Sequence, residues 1–276
     1  MNKVWLVTGA GSGFGRAVAR AAVAAGDVVV GAVRRPESLA DLVAAHPDQV
    51  EALGLDVTDT AAVGAAVEDV VARHGRIDVL VNNAGRTHVG AVEETTDEEL
   101  RALFDVHVFG PAALVRAVLP HMRERRSGAV VQMSSVGGQL SFAGFGAYSG
   151  TKFALEGMSE ALADEVREYG VKVLIVEPGA FRTSLFEGDR AGASTDGGQY
   201  AAVAATRAMV SGGHGTQPGD PDRAAAAILA ALAAERTPLR LVLGGDAVDG
   251  VLAHLEQVRE DVLGWEKEAR ATAFDA

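Results

Sequence analysis

The sequence predicts an α/β protein built on one doubly wound, seven-stranded parallel sheet with helices on both faces. Three observations carry that prediction. Short β-branched runs alternate with longer Ala-rich segments along all 276 residues. The strand-like runs are almost continuously apolar, as expected of strands covered on both faces, and their crossovers should be right-handed. No repeat at solenoid spacing and no low-complexity linker divides the chain, so a single domain over 1–276 is expected.

Strands are expected at 3–7, 28–33, 50–55, 79–82, 129–133, 171–176 and 239–243. The first begins at once with Val4-Trp5-Leu6-Val7. Helices are expected at 15–25, 36–45, 59–73, 97–125, 147–169 and 221–235, with one more after Asp246. The acidic run Glu93, Glu94, Asp97, Glu98 and Glu99 suits the first turn of the fourth helix, where the dipole favours negative charge. Charged residues 256–270 read as a solvated helix face, and Asp78 as structural. The segment 184–219 breaks the rhythm, with paired glycines at 197–198 and 212–213 and few apolar anchors. A loop of that length is expected to act as a lid or binding loop, or else to be disordered.

Composition narrows the function. Apolar residues make up 48%, charged residues 22% and aromatics 5%, which is globular and poor in stacking surfaces. A net charge of −12 argues against nucleic acid or an anionic membrane as partner. The chain contains no cysteine, which removes disulfides and thiolate chemistry. No uninterrupted apolar run approaches a span of roughly 20 residues, and no basic region with an apolar stretch precedes the first strand. A cytoplasmic protein is therefore expected. The histidines at 46, 74, 88, 121, 214 and 254 lack metal-ligand spacing, so no metal is expected.

The first strand runs into Thr8-Gly9-Ala10-Gly11-Ser12-Gly13-Phe14-Gly15 and then a helix. Glycines let the backbone approach a ligand, and the helix N-terminus offers free N–H groups to a pyrophosphate. The spacing is not GxGxxG and lacks a Gly-Lys-Ser/Thr ending, so a dinucleotide is favoured over a triphosphate. The second strand ends Val33-Arg34-Arg35, with Val33 where an NAD-binding carboxylate would stand. Arg34 and Arg35, aided by Ser12, could pair with a 2′-phosphate, which favours NADP(H) over NAD(H). The same arginines would also suit a solvated strand end.

Tyr148 and Lys152 lie four residues apart and project from one helical face. A cation beside a phenol favours the phenolate and so makes the hydroxyl a proton donor and acceptor nearer neutrality. The pair alone is common on solvated helices.

Taken together, these motifs resemble those of classical short-chain dehydrogenases/reductases. In order they are the Thr8–Gly15 turn, Asn82-Asn83-Ala84-Gly85, Ser135, Tyr148-x-x-x-Lys152 and Pro178-Gly179-Ala180-Phe181-Arg182-Thr183. The resemblance implies a Rossmann fold that binds NADP(H), with Gly9, Ser12, Gly13, Phe14, Gly15 and Arg34 on the cofactor. It implies that Asp56 and Val57 border the adenine and that Asn83, Ala84 and Gly85 line the cofactor. Pro178, Gly179, Phe181 and Thr183 would surround the nicotinamide. Tyr148 would act as general acid or base, Lys152 would lower its pKa and bond the nicotinamide ribose, and Ser135 would bind the substrate oxygen. Ser134 competes with Ser135, but the thirteen-residue interval to the tyrosine favours Ser135.

One position departs from the pattern. In Asp105-Val106-His107-Val108-Phe109-Gly110, His107 replaces an asparagine that in the family orders a relay water. It could hold a water or be satisfied by backbone, and no catalytic role is carried over to it.

The expected pocket is largely apolar, drawing on Val89, Leu140, Phe142, Phe145, Phe181, Leu185 and Phe186. Gln139 is a possible polar handle and Arg182 a possible cation. The expected reaction interconverts a hydrophobic ketone and a secondary alcohol. The resemblance also implies a homodimer or homotetramer paired through 97–125 and 147–169. A catalytically silent dinucleotide-binding sensor or scaffold is the alternative, and a sugar-nucleotide epimerase or dehydratase a third reading.

Overall fold

The computed structural model describes residues 2–186, 191–213 and 215–274. Its strands are β1 (Val4–Thr8), β2 (Val28–Val33), β3 (Val50–Gly54), β4 (Val79–Asn82), β5 (Thr87–Val89), β6 (Gly128–Met133), β7 (Val171–Pro178), β8 (Ala191–Ala193) and β9 (Arg240–Leu243). Its helices are α1 (Gly13–Ala24), α2 (Ala40–Ala45), α3 (Thr60–His74), α4 (Asp97–Phe104), α5 (Gly110–Arg125), α6 (Gly146–Val166), α7 (Ala201–Gly212), α8 (Pro221–Ala233), α9 (Gly245–Gly264) and α10 (Glu266–Arg270).

Seven strands form one parallel sheet in the order β3-β2-β1-β4-β6-β7-β9. β1 pairs with β2 from Val4↔Val28 to Thr8↔Ala32 and with β4 at Trp5↔Val79. Side chains alternate between two buried layers. Trp5, Val7 and Val29 face α1 and α8, while Leu6, Val30 and Leu80 face α3, α5 and α6. Both faces are dry, which is why the strands read as continuous apolar runs. The chain leaves β1 toward β2 and β3, then crosses back to β4. That reversal opens a crevice at the C-terminal ends of β1 and β4, the place where open α/β sheets bind ligands.

Helix 97–125 differs from expectation in one respect. It is broken by a π-turn, Asp105–Phe109, between α4 and α5. By length and composition alone this helix could cross a membrane, although it contains no uninterrupted apolar span; 44% of its most apolar window is buried inside the protein. Leu103, Leu114, Val118 and Met122 are buried in the core.

The segment 184–219 also carries structure. β8 pairs in parallel with β5 at Thr87↔Ala191 and Val89↔Ala193, and α7 follows. These elements escaped the sequence reading because β8 has three residues and, within α7, Val203 alone is buried.

Candidate active site

One cleft of about 860 Å³ runs across the C-terminal edge of the sheet. At one end it is built almost entirely from backbone. Gly9 and Gly13 have φ of 66° and 53°, a region that glycine enters without strain. A Cβ on Gly9 would lie 3.0 Å from Ala84 Cα, and one on Gly15 would lie 2.5 Å from the Gly9 carbonyl oxygen. The turn is thus pressed against β4's exit and against its own helix. Ser12 caps α1 in extended conformation with no hydrogen bond from its side chain to the helix. Ser12, Gly13 and Phe14 line the cleft, so the first turn of α1, whose N–H groups have no partners within the helix, lies at its edge.

The turn is held by side chains. Thr8 Oγ1 donates to the Val81 carbonyl and accepts from the N–H groups of Asn83 at 2.9 Å and Ala84 at 3.0 Å. Asn83 Nδ2 donates back to the Thr8 carbonyl at 2.9 Å. Asn83 lines the cleft, as expected, while its amide braces the glycine turn. Arg34 and Arg35 stand exposed at the cleft's rim beside Ser38, and neither forms an ion pair among the described residues. Asp56 and Val57 line the same end, with Asp56 accepting from Thr58 N and Thr58 Oγ1. Pro178, Gly179, Phe181 and Thr183 form the opposite wall. Phe181 stacks obliquely on Phe14, ring centroids 5.1 Å apart.

At the other end Ser135, Tyr148 and Lys152 come together. Ser135 follows β6 in extended conformation, and its hydroxyl accepts from Gly137 N at 3.1 Å. α6 starts at Gly146, which places Tyr148 in its first turn and Lys152 one turn later. Both are buried, and Lys152 Nζ lies 5.7 Å from the Tyr148 ring centroid. Burial pushes the Tyr148 phenol up, and a hydrogen bond with the Ser135 hydroxyl opposes that shift. Lys152 is not among the causes of that shift, so the lowering expected from it is not seen. The ammonium donates to the Met133 carbonyl at 2.9 Å, and burial lowers its own pKa to about 8. Ser134, the competing serine, is also buried but sits beside Glu156.

His107 occupies the π-turn and is fully packed, edge-on to Tyr148 at 5.6 Å between ring centroids. Its Nε2 accepts from the Arg86 N–H at 3.2 Å, which assigns the proton to Nδ1. Nδ1 then donates to Thr151 Oγ1 at 2.8 Å, and Thr151 donates to the Tyr148 carbonyl at 2.7 Å. Both ring nitrogens are satisfied by protein. Burial, then the charges of Lys152 and Arg86, hold the imidazole neutral, well below its ordinary pKa.

Four pocket expectations are corrected. Gln139 turns away from the cleft and donates to Glu177 at 3.1 Å, because buried carboxylates lie behind it. Arg182 donates to the Gln217 carbonyl at 3.1 Å and does not line the cleft. Val89 and Leu140 also lie outside its lining, Val89 being buried in the packing of Phe145 and Tyr148. Phe142, Phe145 and Leu185 do line it, and Phe186 falls outside the described side chains. Sequence reasoning missed Ser38, Arg86 and Asp246, which carry no motif spacing and reach the cleft only through the fold. Asp246 is the clearest case: its carboxylate accepts from Ala180 N at 2.8 Å and fills the space a Cβ on Gly179 would need.

The family model for the short chain dehydrogenase matches residues 3–193. The chain belongs to that family of oxidoreductases. This short-chain dehydrogenase is 37% identical to oxidoreductase BOA17 of Botryotinia fuckeliana over 90% of its own length and 91% of the other's. It is 40% identical to a 3-ketodihydrosphingosine reductase of Bacteroides thetaiotaomicron, over 66% of this chain and 65% of that protein. Among solved structures, a short-chain dehydrogenase from Streptomyces avermitilis superimposes with a TM-score of 0.94 at 63% identity, covering 99% and 98% of the two chains. One from Burkholderia phymatum in complex with NAD superimposes with a TM-score of 0.82 at 26% identity, covering 96% and 95%. A metagenomic one in complex with NADP gives 0.69 at 29%, covering 87% and 96%.

Proposed function

We propose that this short-chain dehydrogenase interconverts a hydrophobic ketone and a secondary alcohol using NADP(H). The observation that carries the reading is one continuous cleft, with a backbone phosphate cradle at one end and the Ser135–Tyr148–Lys152 group at the other. A nicotinamide dinucleotide fits that layout, and related structures bind NAD or NADP. Val33, Arg34, Arg35, Ser12 and Ser38 favour the 2′-phosphorylated form, since no carboxylate stands at the end of β2 and two guanidiniums do. Asp56 and Val57 would hold the adenine, Asn83, Ala84 and Gly85 the middle of the dinucleotide, and Pro178, Gly179, Phe181 and Thr183 the nicotinamide.

When bound, the cofactor supplies or accepts the hydride, leaving the protein to orient and to move a proton. Tyr148 gives its hydroxyl proton to the developing alkoxide in reduction and takes it back in oxidation. Ser135 donates to the same oxygen, and Lys152 steadies the phenolate and bonds the nicotinamide ribose. Phe142, Phe145, Leu185 and Val210 offer the substrate an apolar wall, with Arg86 as the cation nearby. The described parts of the segment, 184–186, 191–213 and 215–219, would close over that end as a lid. Phe109 at the end of the π-turn and Phe153 and Met158 of α6, about half exposed at 54%, 47% and 46%, would give an apolar surface for pairing two copies in a cytoplasmic homodimer or homotetramer.

The test is nicotinamide oxidation with NADPH and NADH against a panel of apolar ketones. Tyr148→Phe keeps the ring and should lower kcat/KM by about 10²–10⁴-fold; near wild-type turnover would sink the assignment. Arg34→Asp should move the NADPH-to-NADH preference by about tenfold or more toward NADH. A wild type that already favours NADH would overturn the cofactor reading.

A further inference from the structure

Beneath the reactive face of α6 lies a second set of buried acids. Tyr148, Lys152 and Glu156 follow one another at four-residue spacing, so they form one column on the helix. Glu156 is buried, and Glu177 of β7 enters the same space with no exposure at all. Arg240 of β9 clamps both, its Nε lying 3.1 Å from Glu156 Oε2 and 3.1 Å from Glu177 Oε1. Its Nη2 also pairs with the more exposed Glu160 at 2.5 Å. Gln139 Nε2 donates to Glu177 Oε1 at 3.1 Å and to Glu156 Oε2 at 3.4 Å. Gly138 leaves room for the group: a Cβ there would stand 2.5 Å from Ser134 Oγ and 2.9 Å from Glu156 Oε1.

Glu156 and Glu177 are both buried against a single guanidinium, that of Arg240, which also pairs with the more exposed Glu160. Glu156 Oε1 and Glu177 Oε2 are moreover buried with no hydrogen-bond partner among the described residues. One proton held between the two carboxyls removes a charge and adds a donor to the one that the Ser134 hydroxyl offers Glu156, as in other carboxyl pairs that share a site. Burial first, and then the charge of Glu156, push Glu177 up to about 7. Burial raises Glu156 as well, against the neighbouring Ser134 and Arg240. Lys152 feels this group directly: the charge of Glu156 opposes the burial that lowers the lysine.

We propose that Glu156 and Glu177 share one proton beneath the active helix, and that this pair, clamped by Arg240, keeps Lys152 cationic. The inference rests on the reading of Lys152 as the partner of Tyr148, and it makes the two glutamates positioning residues that act through the lysine. As pH rises through neutrality the shared proton leaves and the pair gains a negative charge. The ammonium is then favoured at the pH where burial alone would strip it. The other groups facing the column are Tyr148, the neutral His107, Arg240 and Glu160, and none of these supplies a carboxylate as near to Lys152 along the helix.

The chain contains four lysines, Lys3, Lys152, Lys172 and Lys267, so NMR can follow side-chain titration residue by residue, with Lys152 assigned through K152R. Glu156→Gln should lower the Lys152 midpoint by about one pH unit. Glu177→Gln, which imitates the protonated acid, should lower it less and turn a broadened titration into a single step. An unchanged Lys152 midpoint in Glu156→Gln overturns the proposal. If that variant does not fold, Glu177→Gln decides: a lowered, single-step curve supports the pair, and a wild-type curve overturns it. The titration needs no turnover, so failure of the Tyr148→Phe assay and failure of this proposal are separately visible.

Discussion

The two ends of the cleft are built by different means. The glycine-turn end is fixed by backbone: β1 and β4 leave the sheet side by side, and there is no room for a Cβ where Gly9 and Gly15 meet the chain. The region around β5, β8 and α7 is fixed by polar side chains. Ser194, just after β8, donates to Glu99 Oε2 at 3.0 Å and pairs with His88 Nε2 at 2.7 Å. Arg207 of α7 donates to the Ser194 carbonyl at 2.9 Å and pairs with Glu94 at 3.3 Å. A ligand whose shape is constant suits a backbone mould, which tolerates almost no substitution. A latch of hydrogen bonds can open, and its residues can change to suit another substrate.

The largest effect that sharpens this contrast should come from Gly15→Val. Its side chain would overlap Asn83 and the Gly9 carbonyl. Chemical denaturation should show a loss of about 1–3 kcal/mol, and nicotinamide binding should fall with it. A stable variant that binds normally would break the contrast at its firmer end.

Next comes the boundary between the two ends, at His107. Its pKa lies below that of the unfolded chain, so the unfolded state takes up a proton that the folded state refuses. Stability is therefore complete above the ordinary histidine range and is lost as pH falls through it. His88, also lowered by burial, adds to the same acid-side loss. His107→Asn should flatten the fall in urea stability between neutral and mildly acidic pH, and an unaltered slope would place the sensitivity elsewhere. The smallest effect is expected at the latch. Ser194→Ala should cost about 1 kcal/mol, seen as faster amide exchange at β5 and a raised KM with kcat little changed. An equal fall in kcat would mean that β8 and α7 help to build the reactive geometry.

What could be read from the sequence follows the same division. β1, the glycine turn, Asn83 and Tyr148–Lys152 have local signatures, because backbone geometry and helical spacing are written in adjacent residues. Ser135 needed only its distance from the tyrosine. The latch, Asp246 and the Glu156–Glu177 pair join residues far apart in the chain, 95 positions in the case of Ser194 and Glu99. No periodicity announces such a meeting. Gln139 shows the cost of reading by neighbourhood: its place after β6 suggested substrate, and the carboxylates behind it drew it the other way. The π-turn was hidden for a different reason: it occupies only five residues inside a segment that otherwise reads as one helix.

The extra residue of a π-turn makes Asp105–Phe109 a junction between two helical phases. An α-helix turns by about 100° per residue. Removing one residue from the turn would restore ordinary winding and rotate all of α4 relative to α5 by that angle. His107 would swing off the Arg86 N–H and Thr151, and Leu103 would leave the core. A single-codon deletion here should therefore do more harm than most substitutions at the same five positions.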